Sequence, residues 1–350
     1  MSSPASTHTA LFTAPTTPDP DHIRDRLPFL HRRGLMQRGI RAFLEGHGFM
    51  EVETPYAVPV PGEEVHLSPF HTVRDTPQGE QEPLFLHTSP EFAMKRIVAA
   101  TGLPVFQFAR VWRNGERSAL HAPEFTMLEW YHPHLGLDGL MTETEALIKA
   151  VLPPTLERPT LAGPSVTLDL TQPFERLTMT DAFQHHAGLD LLPTEGNATA
   201  LAAAAQCTLR EGETWEDLFF RLLLERIEPA IGRTRPTFLT HWPASQAALA
   251  KRDPQDPRVA LRFELYASGM ELANAFEELT DPTEQRARFE ADRAARTAQY
   301  PQRPDWPIDE QLLAALPHMP PCSGIALGFD RLVMLACGTP SINDVLWINA

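Results

Sequence analysis

The run from Val105 to Tyr131, VFQFARVWRNGERSALHAPEFTMLEWY, constrains the fold of this chain more than any other stretch. Aromatic and β-branched residues crowd Val105 to Arg113, and Phe125 to Tyr131 is a second apolar run with one carboxylate inside it. The pair therefore reads as two strands joined by a polar loop. That loop, Asn114 to Glu124, is about a dozen residues long, enough to carry function as well as connection. The two-residue period of a strand puts Phe125, Met127, Glu129 and Tyr131 on one face and Thr126, Leu128 and Trp130 on the other. Glu129 then lies on an otherwise apolar face and needs a partner. The plain reading is a wet sheet edge, with Arg113 paired to a surface acid. Against it stands the concentration of Arg113, Asn114, Glu116, His121, Glu129 and Tyr131 in one hairpin. Arginine offers a planar fork suited to phosphate, Phe125 a face for stacking a base, and Glu129 a site for an amine. The combination points to a nucleotide held beside an amino compound.

A chain of 350 residues, 43 % hydrophobic and 21 % charged, has the composition of a globular protein with a sizeable core, in one large domain or two ordinary ones. Its formal net charge of -15 argues against a broad nucleic-acid surface while leaving room for a local basic cleft. Cys207, Cys322 and Cys337 are too few and too widely spaced for a zinc site or a disulfide framework, so a reducing cytoplasm is the expected setting. No apolar run reaches the roughly 18 residues of a membrane span, and the first residues do not form a secretion signal.

Along the chain, residues 1–27 are rich in Ser, Thr, Pro and Asp and read as a mobile tail; residues 28–350 read as one body with a helical insertion around 137–230. A helix is expected over His31 to His47, a strand from Phe49 to Val52, and another from Leu84 to His87. Thr88-Ser89-Pro90-Glu91 then opens a helix over Phe92 to Ala100. Ser89 has a capping role to compete with any other, whereas Glu91 is placed to face a cleft and bind an ammonium group. His185-His186 and the pair His132 and His134 lack a third ligand at metal-binding spacing and read as solvated. A hairpin turning at Ser268-Gly269 carries Glu271 and Glu278 on its outgoing strand. Their separation of seven puts them on opposite faces unless the strand bends, which is expected near Asn274-Ala275. Asp281-Pro282-Thr283-Glu284 opens a helix to about Ala298. Finally, the small-residue strand Cys322 to Gly328 feeds a helix ending at Gly338, and a helix N-terminus beside Arg331 makes a positive site for phosphate.

Taken together, the helix and strand ending at Pro55, the segment Phe108 to Tyr131 and the segment Gly324 to Arg331 resemble, in order and spacing, the three motifs of a class II aminoacyl-tRNA synthetase core of the lysyl branch. The resemblance runs from about residue 28 to the end. It is closer still to the elongation factor P lysine ligases. The core begins almost at the N-terminus, without room for an anticodon-binding domain. Ser89 in Ser-Pro-Glu and Ala326 in Gly-Ile-Ala-Leu-Gly stand where synthetases carry Ala and Gly, and HWPASQAALA, His241 to Ala250, follows the ligase pattern.

The resemblance implies an α+β fold, an antiparallel sheet flanked by helices, and an AMP-forming ligase that uses ATP and magnesium. Arg113 and Arg331 would be catalytic and hold the ATP phosphates. Asn114, Glu116, His121, Phe125, Glu271, Leu272, Asn274 and Gly328 would complete the nucleotide site, with Glu271 and Glu278 positioning the metal. Ser89, Glu91, Glu129, Tyr131, Glu278 and Ala326 would receive a lysine-type amino acid, lysine or (R)-β-lysine. The implied partner is elongation factor P rather than tRNA, and the implied assembly a homodimer. Two departures stand out: Gly115 where the family has Glu, and Ala122 where it has Asn, each removing a polar contact worth roughly 1 kcal/mol. A truncated lysyl-tRNA synthetase and a non-catalytic amino-acid-binding regulator are the competing expectations.

Overall fold

The computed structural model describes residues 20–160 and 163–348. In chain order its elements are α1 (Pro20–Gly46), β1 (Met50–Glu51), β2 (Ala57–Val58), β3 (Phe70–Asp75), β4 (Gln81–Leu86), α2 (Glu91–Thr101), β5 (Val105–Trp112), β6 (Glu124–Pro133) and α3 (Leu137–Val151). There follow β7 (Thr155–Thr160), β8 (Gly163–Asp169), β9 (Glu175–Thr178), α4 (Met179–Ala187), α5 (Ala198–Ala204) and α6 (Trp215–Leu222). The last third holds β10 (Thr237–Pro243), β11 (Val259–Ala267), β12 (Met270–Glu277), α7 (Pro282–Gln299), α8 (Glu310–Ala315), β13 (Cys322–Gly328) and α9 (Phe329–Cys337).

Eight strands form one sheet in the order β1-β5-β6-β13-β12-β11-β10-β9. Its interior pairings are antiparallel and only the two edge strands, β1 and β9, pair in parallel. The expected α+β architecture is therefore present. The alternation read from the sequence decides the faces. Leu128 and Trp130 of β6 join the main core with Met36, Ile40 and Leu44 of α1, Leu140 and Leu147 of α3, and Leu332 and Leu335 of α9. Phe125, Met127, Glu129 and Tyr131 point to the opposite face, where the site lies.

The hairpin β5–β6 pairs Val105 with Tyr131 through to Trp112 with Glu124. β13 inserts next to β6, with Gly324 opposite Tyr131, Ala326 opposite Glu129 and Gly328 opposite Met127. On its other side β13 pairs with β12, matching Ala326 to Asn274. Three strands far apart in sequence thus deliver their residues in aligned rows. A buried clamp fixes their relation to α1 and α9: Asp330 is fully buried, pairs with Arg33 of α1, and accepts a hydrogen bond from Thr126 N at 2.6 Å.

Several expectations about extent are corrected. α1 begins at Pro20, so residues 20–27 belong to the helix rather than to a tail; residues 1–19 lie outside the described residues. Pro28 sits inside this helix, and Arg26, two residues earlier, donates to the carbonyls of Asn343 (2.6 Å) and Leu346 (3.0 Å), tying the helix start to the C-terminal segment. The 137–230 stretch is not helical throughout: the β7–β8 hairpin and edge strand β9 interrupt it. Its helices α4, α5 and α6 form a separate apolar cluster against Leu239, Trp242 and Tyr266 of the sheet.

The bend required of β12 exists, but at Leu272 rather than at Asn274-Ala275. Leu265 pairs with Ala273 and Tyr266 with Glu271, leaving Leu272 as the extra residue, while Ala275 pairs regularly on both sides. The turn accounts for its position. Ser268 and Gly269 both have positive φ (54° and 70°), the signature of a two-residue hairpin loop that fixes the register from its own end. The inserted residue changes the parity of the strand, and Glu271 and Glu278 line one cavity.

Candidate active site

A cavity of about 590 Å³ opens on the face of the sheet away from the main core. It takes residues from β6, β12 and β13, the start of α2, the loop after β5 and the start of α9.

One end is a closed nest of carboxylates. Glu129 is 1 % exposed; its Oε1 accepts from Tyr131 Oη at 2.6 Å and its Oε2 from Ser89 Oγ at 2.8 Å. Ser89 also accepts from the backbone N–H of Glu91 at 3.0 Å, so it serves helix α2 and the acid at once. Glu91 and Glu278 meet the same ammonium, that of Lys95, at 2.5 and 2.6 Å. Glu278 Oε1 is buried and has no hydrogen-bond partner. Gly324 makes this closeness feasible: a Cβ there would fall 2.3 Å from Tyr131 Cε1 and 2.5 Å from Glu278 Oε1.

The other end is cationic. Arg331 directs Nη2 at His121 Nε2 (2.7 Å) and Nη1 at the Glu271 carbonyl (2.9 Å), with the Glu271 carboxylate 3.6 Å away. His121 Nδ1 meets Ser118 Oγ at 2.8 Å, so Nε2 accepts from Arg331 and Nδ1 carries the proton. The Arg113 guanidinium lies 5.3 Å from the Phe125 ring centre and 3.9 Å from Glu116 Oε1. Gly115 has φ +86°, a turn conformation in which glycine is at ease, and this turn delivers Glu116 to the cavity one position beyond its expected place. Ala122 is buried in the main core.

Every candidate residue read from the sequence lines this cavity except Asn114, which is exposed and whose backbone N–H donates to Ser68 O at 2.7 Å. Leu272, Asn274, Ala326 and Gly328 form its floor between the two ends. Two residues were missed. Lys95 reads from the sequence as one of two adjacent cations, Lys95 and Arg96, on a helix otherwise apolar after Glu91, yet it is 1 % exposed. Arg262 alternates with Glu264 and Tyr266 along β11. It stacks 4.1 Å over Trp242 and donates to Glu264 (2.5 Å), to the Gln246 carbonyl (2.7 Å) and to Asn274 Oδ1 (3.2 Å). The i, i+2 spacing of these three polar residues in an apolar strand is the signal that locates them.

Electrostatics separate the ends. Burial, reinforced by the charge of Glu91, pushes Glu129 up to about 8. Burial likewise raises Glu278 to about 8, against the pull of Lys95. Tyr131 rises well above the usual phenol range, through burial and its acidic neighbours. His121 is lowered by burial and by Arg331, which keeps its ring neutral. The nest is built for positive charge and the opposite end for negative charge.

Among the described residues no cluster of three or more His, Cys, Asp or Glu forms a metal cage. The Glu271 carboxylate is partly exposed at the cationic end and suits a hard divalent cation that draws its remaining ligands from phosphates and water. Glu278 suits one less, because its buried carboxylate is already engaged by Lys95.

Comparison with known proteins agrees with this geometry. Residues 26–348 match the family model of class II tRNA synthetases for D, K and N, and the chain belongs to that family. Within it the chain is 43 % identical over 325 residues to the elongation factor P–(R)-β-lysine ligases of Salmonella dublin and Salmonella paratyphi B, covering 91 % of this chain and 94 % of each relative. It belongs with these ligases as a member of the elongation factor P lysine ligase family. Among the described residues no helix is long and apolar enough to cross a membrane.

Proposed function

We propose that this chain activates a lysine-type amino acid, (R)-β-lysine or lysine, with ATP and transfers it to a lysine of elongation factor P. The observation that carries this reading is the polarity of the cavity described above: a buried nest of three carboxylates faces an end built from Arg113, Arg331, neutral His121 and Phe125. The names of the relatives support the choice of substrate and acceptor.

In the first step the substrate carboxylate oxygen attacks the α-phosphorus of ATP. The P–O bond to the β-phosphate breaks, giving an aminoacyl-adenylate and pyrophosphate. Glu129, Glu91 and Glu278 receive the ammonium groups, and Tyr131 and Ser89 hold Glu129 in place for them. Arg113 and Arg331 neutralise charge that grows on the phosphates, and they are aimed before the reaction begins. Phe125 offers its face to the base and Asn274, oriented by Arg262, a polar group beside it. A magnesium ion held by Glu271, with Glu278 at its margin, would supply further charge on the polyphosphate. In the second step the ε-amine of the acceptor lysine attacks the adenylate carbonyl. An amide bond forms, AMP leaves with the electron pair, and the amine proton passes to solvent. The chemistry is orientation and electrostatics, with no covalent enzyme intermediate.

A homodimer and a cytoplasmic setting belong to the same reading. Leu27 and Leu35 of α1 and Met50 of β1 expose apolar surface suited to a second copy. The test is amino-acid-dependent exchange of pyrophosphate into ATP. Exchange is expected with a diammonium amino acid and is lost in Arg113→Ala. Binding of the amino acid without exchange would identify a non-catalytic binder instead.

A further inference from the structure

The nest contains one cation of its own. Lys95 lies one helical turn after Glu91 on α2, reaches Glu91 at 2.5 Å and Glu278 at 2.6 Å, and is 1 % exposed. It does not line the cavity; its ammonium meets the two acids from within the wall. The groups facing this cluster are Glu91 and Lys95 from α2, Glu129 and Tyr131 from β6, Cys322 from β13, Glu278 just beyond β12, and, from the loop after β2, Glu64, which interacts with Glu91 and also with Arg113 of the cationic end. Lys95 is the only cation among them. Three carboxylates packed into a site with little water repel one another and are costly to bury without positive charge.

We propose that Lys95 is a built-in counter-cation, a positioning residue that fixes Glu91 and Glu278 and leaves the nest two negative charges to match the two ammonium groups of a lysine-type substrate. With all three acids ionised, as binding of ammonium groups requires, three carboxylates and one internal ammonium leave a net charge of minus two. A diammonium amino acid fills it, whereas an isostere with one ammonium leaves a buried charge unpaired. Lys95 thereby contributes to selection without touching the substrate, and this inference rests on the function proposed above.

The test uses the full chain and pyrophosphate exchange, with lysine or β-lysine, whichever the wild type activates. Lys95→Ala is expected to raise the amino-acid KM about tenfold or more, with the ATP KM unchanged and kcat much less affected. Propylammonium chloride at millimolar concentration is expected to restore part of the loss; sodium chloride and neutral n-propanol are not. Where Lys95→Ala does not fold, Lys95→Met fills the same volume without the charge and is expected to show the same rise in amino-acid KM. A wild-type amino-acid KM in either folded variant overturns the inference, as does equal rescue by n-propanol, which would reveal a space-filling role. A wild-type protein that exchanges with no diammonium amino acid overturns the proposed function and this inference with it. Exchange by the wild type with no amino-acid KM effect in the variants overturns the role of Lys95 alone.

Discussion

Gly324→Ala tests the packing of the amine nest at its tightest point. The added Cβ would sit 2.3 Å from Tyr131 Cε1, 2.5 Å from Tyr131 Cδ1 and 2.5 Å from Glu278 Oε1. Carbon atoms rest at about 3.5–4.0 Å, so the ring must retreat by about 1 Å or more. It has little room to do so: Tyr131 is 2 % exposed and packs with Val105, Phe92 and Phe289. Its hydroxyl holds Glu129 at 2.6 Å, and a shift of that size breaks the bond. Overpacking costs roughly 1–3 kcal/mol of stability, and losing a hydrogen bond to a carboxylate about 1.5–3 kcal/mol of site organisation. The second figure corresponds to about ten- to hundredfold in affinity. The expected result is a lower unfolding midpoint and an amino-acid KM raised about ten- to hundredfold, with the ATP KM nearly unchanged because the other end of the cavity is untouched. A folded Gly324→Ala protein with the wild-type amino-acid KM would refute the claim that Tyr131 and Glu129 form part of the substrate pocket.

Two further outcomes follow from the same geometry. Glu129 is raised from 4.5 to about 8, so the folded chain keeps a proton that the unfolded chain releases. Its contribution to stability is therefore greatest below about 4.5 and falls as pH rises through about 8, while binding of an ammonium requires the ionised form; the amino-acid KM should drop across the approach to pH 8. A flat profile for the amino acid, measured beside that for ATP, would contradict this. Arg262→Met removes the partner of buried Glu264 and the donor to Asn274, and is expected to cost about 3–5 kcal/mol in denaturant unfolding; an unchanged midpoint would remove Arg262 from its supporting role.

The legible parts of the molecule were those governed by local periodicity. The two faces of the Val105–Tyr131 hairpin could be assigned because the alternation of β6 is strict, and the start of α7 because Asp281 accepts from both Thr283 N and Glu284 N. Where a long-range contact decides, the sequence was silent or misleading. Pro28 read as a boundary, yet α1 runs through it because Arg26 is anchored by carbonyls more than three hundred residues away. The sequence points to a bulge in β12 near Asn274-Ala275, whereas the turn at Ser268-Gly269 and its register put it at Leu272. Asn114 reads as a site residue by its adjacency to Arg113, but the turn through Gly115 leaves it outside the cavity and brings Glu116 inside. Lys95 carries no local signal because its partner Glu278, just beyond β12, is distant in sequence, and only the fold shows that its charge is buried.

The most direct test of the central claim is the fate of the activated amino acid. Purified protein is given ATP, magnesium and radiolabelled lysine or (R)-β-lysine, with elongation factor P and total tRNA present together, and the acceptor is resolved by gel and by alkali treatment. The account predicts alkali-stable label on elongation factor P, lost when the acceptor lysine is replaced by arginine. Alkali-labile label on tRNA, or label on neither acceptor despite active pyrophosphate exchange, would contradict it.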